Sequence, residues 1–390
     1  MIKYRQEESQ ICSRGVWDNT VPGIQFDDNG VSNYAHMYDK LVEAYPRGEQ
    51  GKKYWDQLVN QIKKDGRKKQ YDCVIGISGG TDSCYLLYLA TQYGLRPLAV
   101  NLDNGWNSDI SVKNIKKVTK KLGIDLETYV INYEEIKDLL RSYMRSRLPW
   151  VDMPTDLAIK AVMYKIAAKI GVRYILRGND FRSEGTQPRE WTYGDARQLK
   201  YVHSRYGSVR LKTYPNYSIY KLVYYGIFKR IKSIYPFYYL DYNKKDAQVF
   251  LKKEFDWEYY GGHHHENIFT KFAISYWSLY KFGIDKRKIT YSSQILSGAI
   301  SRDEVLNILK TKPNTDEEDE HLVSYVIKKL DMTEDEFKTI LNSSNKSYLD
   351  YPSYYPLFYS FTKIIQIFSG LLFIQKPMMF FQLDMRKKNQ

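Results

Sequence analysis

A chain of 390 residues has room for two domains, or for one large domain with additions, so core size does not limit folding. Its 59 Lys and Arg against 45 Asp and Glu leave a net charge of +14, which favours phosphate- or carboxylate-bearing partners without choosing among nucleic acid, nucleotides, nucleotide-linked sugars and anionic membranes. The three cysteines, Cys12, Cys73 and Cys84, form no CxxC pair, which excludes a disulfide framework and a self-contained zinc site and fits a reducing cytoplasm.

Residues 1–7 lack an apolar signal core, so secretion is not expected. Turn signals such as Pro22-Gly23 and Asp28-Asn29-Gly30, followed by an aromatic and charged run, make residues 1–66 an irregular cap leading into a helix. From Tyr71 the pattern changes. Cys73-Val74-Ile75-Gly76-Ile77 reads as a buried strand and residues 84–90 as a helix, with a glycine-rich turn between them. The alternation continues with a strand at residues 97–102, a helix carrying Ile115, Val118 and Leu122, and a strand at residues 126–131. A helix follows at residues 133–147, and another opens at Pro154-Thr155-Asp156, capped by Thr155 and stopped by Gly171. Residues 173–176 form the fourth strand, and the sheet is expected to end near Gly178. Repeated βα units of this kind imply an α/β domain with a parallel sheet, assigned to residues 67–240.

The Tyr-rich stretch at residues 214–242 reads as core and interface, and residues 241–390 as mainly helical, with capping boxes at Ser301-Arg302-Asp303-Glu304 and Thr333-Glu334-Asp335-Glu336. Residues 357–381 are apolar and aromatic but interrupted by Lys363, Gln366, Gln375, Lys376 and Pro377. A spanning helix needs about 20 apolar residues, so a core or partner-facing helix is the first reading and a peripheral membrane contact the second.

Ser78-Gly79-Gly80-Thr81-Asp82-Ser83 lies where the first strand turns into a helix. The glycines let the backbone approach a ligand, the hydroxyls and N–H groups point inward, and the helix adds its positive end, which together make an anion cradle. The turn has no lysine, so γ-phosphate transfer of the kinase-loop type is not expected, and Asp82 suits magnesium held against pyrophosphate. Two further polar clusters follow strand ends, Asp103-Asn104-Gly105-Trp106-Asn107 and Gly178-Asn179-Asp180, and should face the same crevice. Asp103 is placed for ribose or base contacts, with an ordinary Asp-Asn-Gly turn as the plain alternative.

The motif from Ser78 to Ser83 looks like the signature of PP-loop ATP pyrophosphatases, a group with an adenine-nucleotide alpha-hydrolase-like fold. Further blocks narrow the resemblance: Leu102-Asp103-Asn104-Gly105-Trp106-Asn107-Ser108, Pro154-Thr155-Asp156, Ser183-Glu184-Gly185 with Pro188 and Trp191, Gly261-Gly262-His263-His264-His265-Glu266, Phe282-Gly283-Ile284-Asp285-Lys286-Arg287 and Ile295-Leu296-Ser297-Gly298. In this order, over about residues 11–309, they resemble the N-acetyl sugar amidotransferases of surface-polysaccharide and nonulosonic-acid biosynthesis. The resemblance implies ATP and Mg2+ as cofactors and conversion of a sugar acetamido group to an acetamidino group through an adenylated intermediate. It implies ATP contacts at Ser78, Gly79, Gly80, Thr81, Asp82, Ser83, Asp103, Asn104 and Gly178, and Asp156 as a second acidic position near ATP. Glu184 is then a candidate to orient the sugar amide, hold magnesium or accept an ammonia proton. His264 and Glu266 match family positions that reach substrate. Lys286 and Arg287 suit a uronate or diphosphate, with a solvated basic turn nearly as good a reading.

The resemblance departs in one place. Related chains commonly carry two cysteine pairs in an N-terminal knuckle, but here Gly15, Ser32 and Ala35 stand where Cys12 would have its three partners, so no zinc is expected. The family pairs with a separate class I glutaminase subunit. Such a partner is expected here too, because Ile2 follows Met1 and neither Cys73 in a strand nor Cys84 in a helix offers a nucleophile elbow. The rival reading is a tRNA-modifying PP-loop enzyme of the lysidine-synthase or thiolase kind. The cysteine count opposes the thiolase, and no recognisable RNA-binding module is present, so no nucleic-acid partner is expected.

Overall fold

The computed structural model describes residues 10–262, 264–361, 375, 381 and 382. Two helices precede the sheet. Helix α1, Asn33–Ala44, starts where the Ser32 side chain accepts from Ala35 N–H, and α2 spans Gly48–Gly66. The expected alternation follows as β1 (Cys73–Gly76), α3 (Thr81–Gln92), β2 (Pro97–Asp103), α4 (Asp109–Leu122), β3 (Leu126–Val130), α5 (Tyr133–Arg145), α6 (Met153–Lys169) and β4 (Tyr174–Leu176). Local chemistry marks the ends. Ser108 and Asn132 cap α4 and α5 through Ser111 and Glu135 N–H, and Gly123, at φ 64°, ends α4 in the left-handed region.

Two expectations fail. The sheet does not end near Gly178: the Tyr-rich stretch returns a fifth strand, β5 (Lys232–Ile234), which pairs parallel to β4. Three residues bracketed by basic and aromatic side chains carry too little periodicity to announce a strand; pairing with an edge already in place makes it one. Helix α6 also begins earlier than expected. Asp152 is its N-cap and Pro154 lies in the first turn, while the Thr155 hydroxyl accepts from Asn104 Nδ2 at 3.0 Å instead of capping.

The five strands run in the order β3-β2-β1-β4-β5, all parallel. The chain moves outward from β1 to β3 and then crosses to the other side of β1 for β4. The switch point, where crossovers diverge and leave a crevice, therefore lies between the carboxyl ends of β1 and β4. Alternate residues serve the two faces. Cys73, Ile75 and Ala99 pack with α3 and α4, whereas Val74, Val100 and Ile175 pack under α6 with Tyr217.

The remainder is mainly helical: Lys244–Phe255, a continuous run from Ile268 to Phe282 with a π turn at Ala273–Trp277, then Arg287–Leu296, Arg302–Ile308, Asp316–Lys329 and Glu334–Asn342. Ser301 and Thr333 each accept from the N–H three residues on, as their sequences predict, and Thr315 with Glu318 closes a reciprocal capping box. Of the Tyr-rich stretch, Tyr214, Tyr217, Tyr238 and Tyr242 are buried, while Tyr220 and Phe228 are exposed. Most of residues 357–381, including the proposed tail helix, lies outside the described residues; among the described residues no helix is long and apolar enough to cross a membrane.

The N-terminal knuckle is held by packing and hydrogen bonds. Cys12 Sγ accepts from Ser32 N–H at 3.3 Å, Arg302 donates to the carbonyls of Gly15 and Cys12, and Ser292 Oγ accepts from Val16 N–H. Cys12 and Ala35 are fully buried, and a Cβ on Gly15 would lie 2.8 Å from the Trp17 ring. The four positions are filled by contacts that leave Cys12 as their single thiol.

Candidate active site

The carboxyl ends of β1, β2 and β4 open into a cavity of about 1380 Å³. Its phosphate-loop wall is Ser78 to Ser83. Gly79 sits at φ 81°, and a Cβ there would lie 2.3 Å from the Ser111 carbonyl oxygen, so the turn closes only with glycine. The Gly79 carbonyl accepts from Trp257 Nε1 at 2.9 Å and Asn114 Nδ2 at 3.2 Å, which fixes the turn from outside. Ser83 Oγ accepts from Ser78 N–H, Ser78 Oγ accepts from Gly80 N–H, and the Tyr260 hydroxyl accepts from Thr81 N–H. Gly178, ending β4, lies against the Asp82 backbone, where a Cβ would meet it at 3.0 Å.

Charges then converge from distant segments. Lys244 Nζ bonds Asp82 Oδ2 at 2.8 Å, and the Tyr242 hydroxyl donates to Oδ1. Burial depresses the Lys244 ammonium, but Asp82 and Glu184 outweigh it and hold the group above its ordinary value. Glu184, half-buried and accepting from Asn179 at 3.0 Å, is raised by burial and then by the charge of Asp82. Glu266 reaches the loop itself: its Oε1 accepts from Ser78 Oγ at 3.2 Å. Two straps place it there, Ser108 N–H to the Glu266 carbonyl and Ile268 N–H to the Trp106 carbonyl, both at 2.9 Å. His264, at φ 59°, stands 3.6 Å from Glu266. Burial alone would raise the Glu266 carboxyl, yet His264 and Lys244 hold it low; burial opposes the His264 charge, yet Glu266 and Glu184 raise it. Each group thus favours the charged form of the other. His265 differs, since burial pulls it down to about 4.

The distal wall is a second cluster. Trp150 Nε1 donates to Asp156 Oδ2 at 2.6 Å, and Thr270 Oγ1 to Asp152 Oδ2 at 2.5 Å. Lys286 Nζ lies 3.5 Å from the centre of the Trp150 ring. Burial raises both carboxyls and lowers the lysine. Asp156 is exposed and lines the cavity.

Two family profiles match this chain. Residues 52–171 match NAD synthase, and residues 266–365 match the C-terminal domain of the LPS biosynthesis protein WbpG-like family. The chain thus joins a PP-loop, NAD synthase-like domain to a C-terminal domain like that of an LPS biosynthesis protein. Curated relatives of the PP-loop protein include a tRNA-specific 2-thiouridylase of Flavobacterium johnsoniae, 30% identical over 122 residues, covering 27% of this chain and 31% of that one. A tRNA(Ile)-lysidine synthase of Chlamydia pneumoniae is 33% identical over 73 residues, covering 18% and 22%. The chain thus spans less than a third of the length of either. Similar solved structures include an NH3-dependent NAD synthetase of Campylobacter jejuni, 13% identical, covering 38% of this chain and 58% of that one, with a TM-score of 0.26. An NMN synthetase of Francisella tularensis is 16% identical, covering 61% and 95%, with a TM-score of 0.27.

Within the PP-loop protein, most residues singled out from sequence share the cavity: Ser78, Gly80, Asp82, Ser83, Asn104, Asp156, Gly178, Glu184, His264, Glu266, Lys286 and Arg287 line it, and Gly79 and Thr81 shape its loop. Three expectations change in content. Asp103 does not line the cavity: its Oδ1 accepts from Gly105 N–H at 2.9 Å, which is the plain turn reading, and Asn104 takes the inward position. Arg287 is clamped by Asp285 through bonds of 2.7 to 3.1 Å, so its charge is already matched. Asp82, expected to face magnesium, is engaged by Tyr242 and Lys244. Sequence reasoning missed Tyr242, Lys244, Tyr260 and Asp152. The only local signal was Asp152 standing two residues before Pro154 at a helix start, in the place of an N-cap.

Proposed function

We propose that this protein converts the N-acetyl group of a sugar, nucleotide-linked or free, to an acetamidino group in surface-glycan synthesis, at the cost of ATP cleaved to AMP and pyrophosphate. The observation that carries the reading is Glu266: the first residue of the WbpG-like domain bonds Ser78 of the phosphate loop, so that domain builds part of the nucleotide site and adds the distal wall with Thr270 and Lys286. An amide carbonyl is a poor electrophile, and adenylation turns its oxygen into a leaving group. The acetamido oxygen attacks the α-phosphorus, pyrophosphate departs, and ammonia then displaces AMP.

The chain's own groups serve these steps in turn. Loop N–H groups and the N-terminus of α3 receive the phosphates. Lys244, kept charged beside Asp82, neutralises the departing pyrophosphate. Asp82 and Glu184 are hard oxygen donors on one cavity and would hold a Mg2+ ion, together with phosphate and water, once Lys244 leaves Asp82 for the phosphates. Such an ion, when bound, supplies Lewis-acid neutralisation of the phosphates. Ammonia is supplied by a separate class I glutaminase subunit: Cys73 and Cys84 are fully buried and burial pushes both thiols up, so neither is a glutaminase nucleophile. The reaction is assigned to the cytoplasm.

The same buried thiols oppose a thiolase reading, in spite of the thiouridylase relative, and leave lysidine-type adenylation of tRNA as the rival. One assay separates the two. The chain is incubated with ATP, Mg2+, ammonium and a panel of UDP-linked or free diacetamido sugars, and AMP is followed with the sugar mass. AMP release with a sugar product lighter by the difference between O and NH is expected. AMP release that requires tRNA and no sugar would overturn the proposal.

A further inference from the structure

Asp152 carries a polar atom that the fold leaves unused. It occupies the N-cap of α6, where an aspartate ordinarily accepts from first-turn N–H groups, yet its side chain makes no such bond. Oδ2 takes the Thr270 hydroxyl, while Oδ1 is buried with no partner in hydrogen-bond geometry among the described residues, the Thr155 hydroxyl standing close enough only to lower the carboxyl. The residue is 1% exposed and lines the cavity. A buried acceptor left without a donor is destabilising, and a ligand N–H or O–H would relieve it.

Its bearing is set from two sides. Asn267 Oδ1 accepts from Thr270 N–H at 3.1 Å, and Asn267 Nδ2 donates to Asn104 Oδ1 at 3.1 Å, so both the WbpG-like domain and the loop after β2 place the threonine that aims the carboxylate. The other carboxylates are occupied differently: Asp156 Oδ2 holds Trp150, and Glu184 belongs to the phosphate side with Asn179, Asp82 and Lys244.

Resting on the acetamidino reading above, we propose that Asp152 Oδ1 accepts the N–H of the substrate acetamido group and takes its proton as the carbonyl oxygen is adenylated. The bookkeeping of atoms closes. The oxygen–phosphorus bond forms as the bond to pyrophosphate breaks, the N–H electrons become the C=N bond of a neutral O-adenylyl imidate, and the proton rests on Asp152. Ammonia adds to the imidate carbon, its three hydrogens end on the two nitrogens of the amidinium as the carbon–oxygen bond to AMP breaks, and Asp152 returns its proton to the departing phosphate oxygen, so that AMP leaves in its monoprotonated form. The groups facing the carboxylate are Asp156 one turn along α6, Lys286, Tyr214, Thr155 and Thr270. Burial and Asp156 lift the carboxyl above the ordinary aspartate range, toward neutrality, where one group can both take and return a proton.

The test is acetamido-sugar-dependent exchange of pyrophosphate into ATP, which isolates the adenylation half and needs no ammonia. It is measured against pH for the full chain and for Asp152→Asn, Asp152→Glu and Thr270→Val. Asp152→Asn should lower the exchange kcat about 100-fold or more with little change in sugar KM, and should abolish the fall in rate at low pH. Asp152→Glu should restore part of the rate, and Thr270→Val should lose less and keep the acid limb. A raised KM with unchanged kcat, or an acid limb surviving in Asp152→Asn, overturns the inference. If Asp152→Asn no longer binds ATP, Thr270→Val decides: unaltered exchange without the carboxylate's anchor overturns it as well. Wild-type chain inert toward every acetamido sugar sinks the functional reading and this inference together, whereas active wild type beside an unaffected Asp152→Asn sinks the inference alone.

Discussion

The two adjacent glycines of the phosphate loop should fail in different ways. Gly79 is at φ 81°, where an alanine costs about 1 to 2 kcal/mol in backbone strain. Its Cβ would also fall 2.3 Å from the carbonyl oxygen of Ser111, a buried residue in the first turn of α4, and relief of such overpacking costs about 1 to 3 kcal/mol. Gly79→Ala is therefore expected to destabilise the fold by about 2 to 5 kcal/mol. Gly80 is at φ −75°, open to any residue, and its Cβ would meet only side-chain ends, Glu266 Oε1 and the Tyr260 hydroxyl at 3.0 Å and Ser78 Oγ at 3.2 Å. A lowered unfolded-state entropy offsets that crowding by about 0.4 to 1 kcal/mol, so Gly80→Ala should unfold within about 1 kcal/mol of wild type. Its methyl group, however, stands among the polar groups that would receive phosphate. Chemical denaturation and ATP titration calorimetry on both variants separate the effects: Gly79→Ala should lose stability, and Gly80→Ala should keep stability but lose ATP affinity. Wild-type stability in Gly79→Ala, or unchanged ATP affinity in Gly80→Ala, would refute the geometry of the cradle.

Two further outcomes follow from the charged clusters. Lys244→Met leaves Asp82 without its buried cation, with side-chain exposures of 19% for the lysine and 15% for the aspartate, and should cost about 3 kcal/mol in denaturant unfolding. Wild-type stability in that variant would mean the pair is not maintained in solution. Asp138, fully buried, is raised by burial but held below its usual value by the N–H groups of Val209 and Ser208, the Ser208 hydroxyl and His203. A carboxyl with a depressed folded-state pKa contributes stability above its unfolded value of 3.8, and that contribution fades as pH falls through the folded value. Asp138→Asn should therefore lie about 3 kcal/mol below wild type at pH 7, with the gap narrowing below pH 3.8, as read by urea unfolding across pH. A gap independent of pH would refute the assignment.

What could be read along the chain was local. A buried strand, two glycines and a helix start lie within a few residues, so the loop at Ser78 to Ser83 and the βα alternation were legible before any contact was known. Blocks such as Ser183-Glu184-Gly185 marked cavity residues by their resemblance, although residue type alone did not say what Glu184 would face. Position along the chain could not distinguish Asp103 from Asn104 either, because successive side chains leave a strand on opposite faces and only the packed loop decides which one enters the crevice.

What tertiary structure decided was pairing across long separations. Ser78 meets Glu266 188 residues on, and Asp82 meets Tyr242 and Lys244 at separations of 160 and 162. No periodicity encodes such contacts, because they arise where separate crossovers bring loops to one end of the sheet. The same holds for β5, a strand only because β4 offers it an edge, and for Asp152, a helix cap by position whose free oxygen becomes visible only once Thr270 has claimed the other. The sequence by itself determined the phosphate loop and the chemistry it invites, since both reside in a few adjacent residues. Folding decided which charges surround that loop, because burial and proximity, which set those charges, are properties of the assembled cavity.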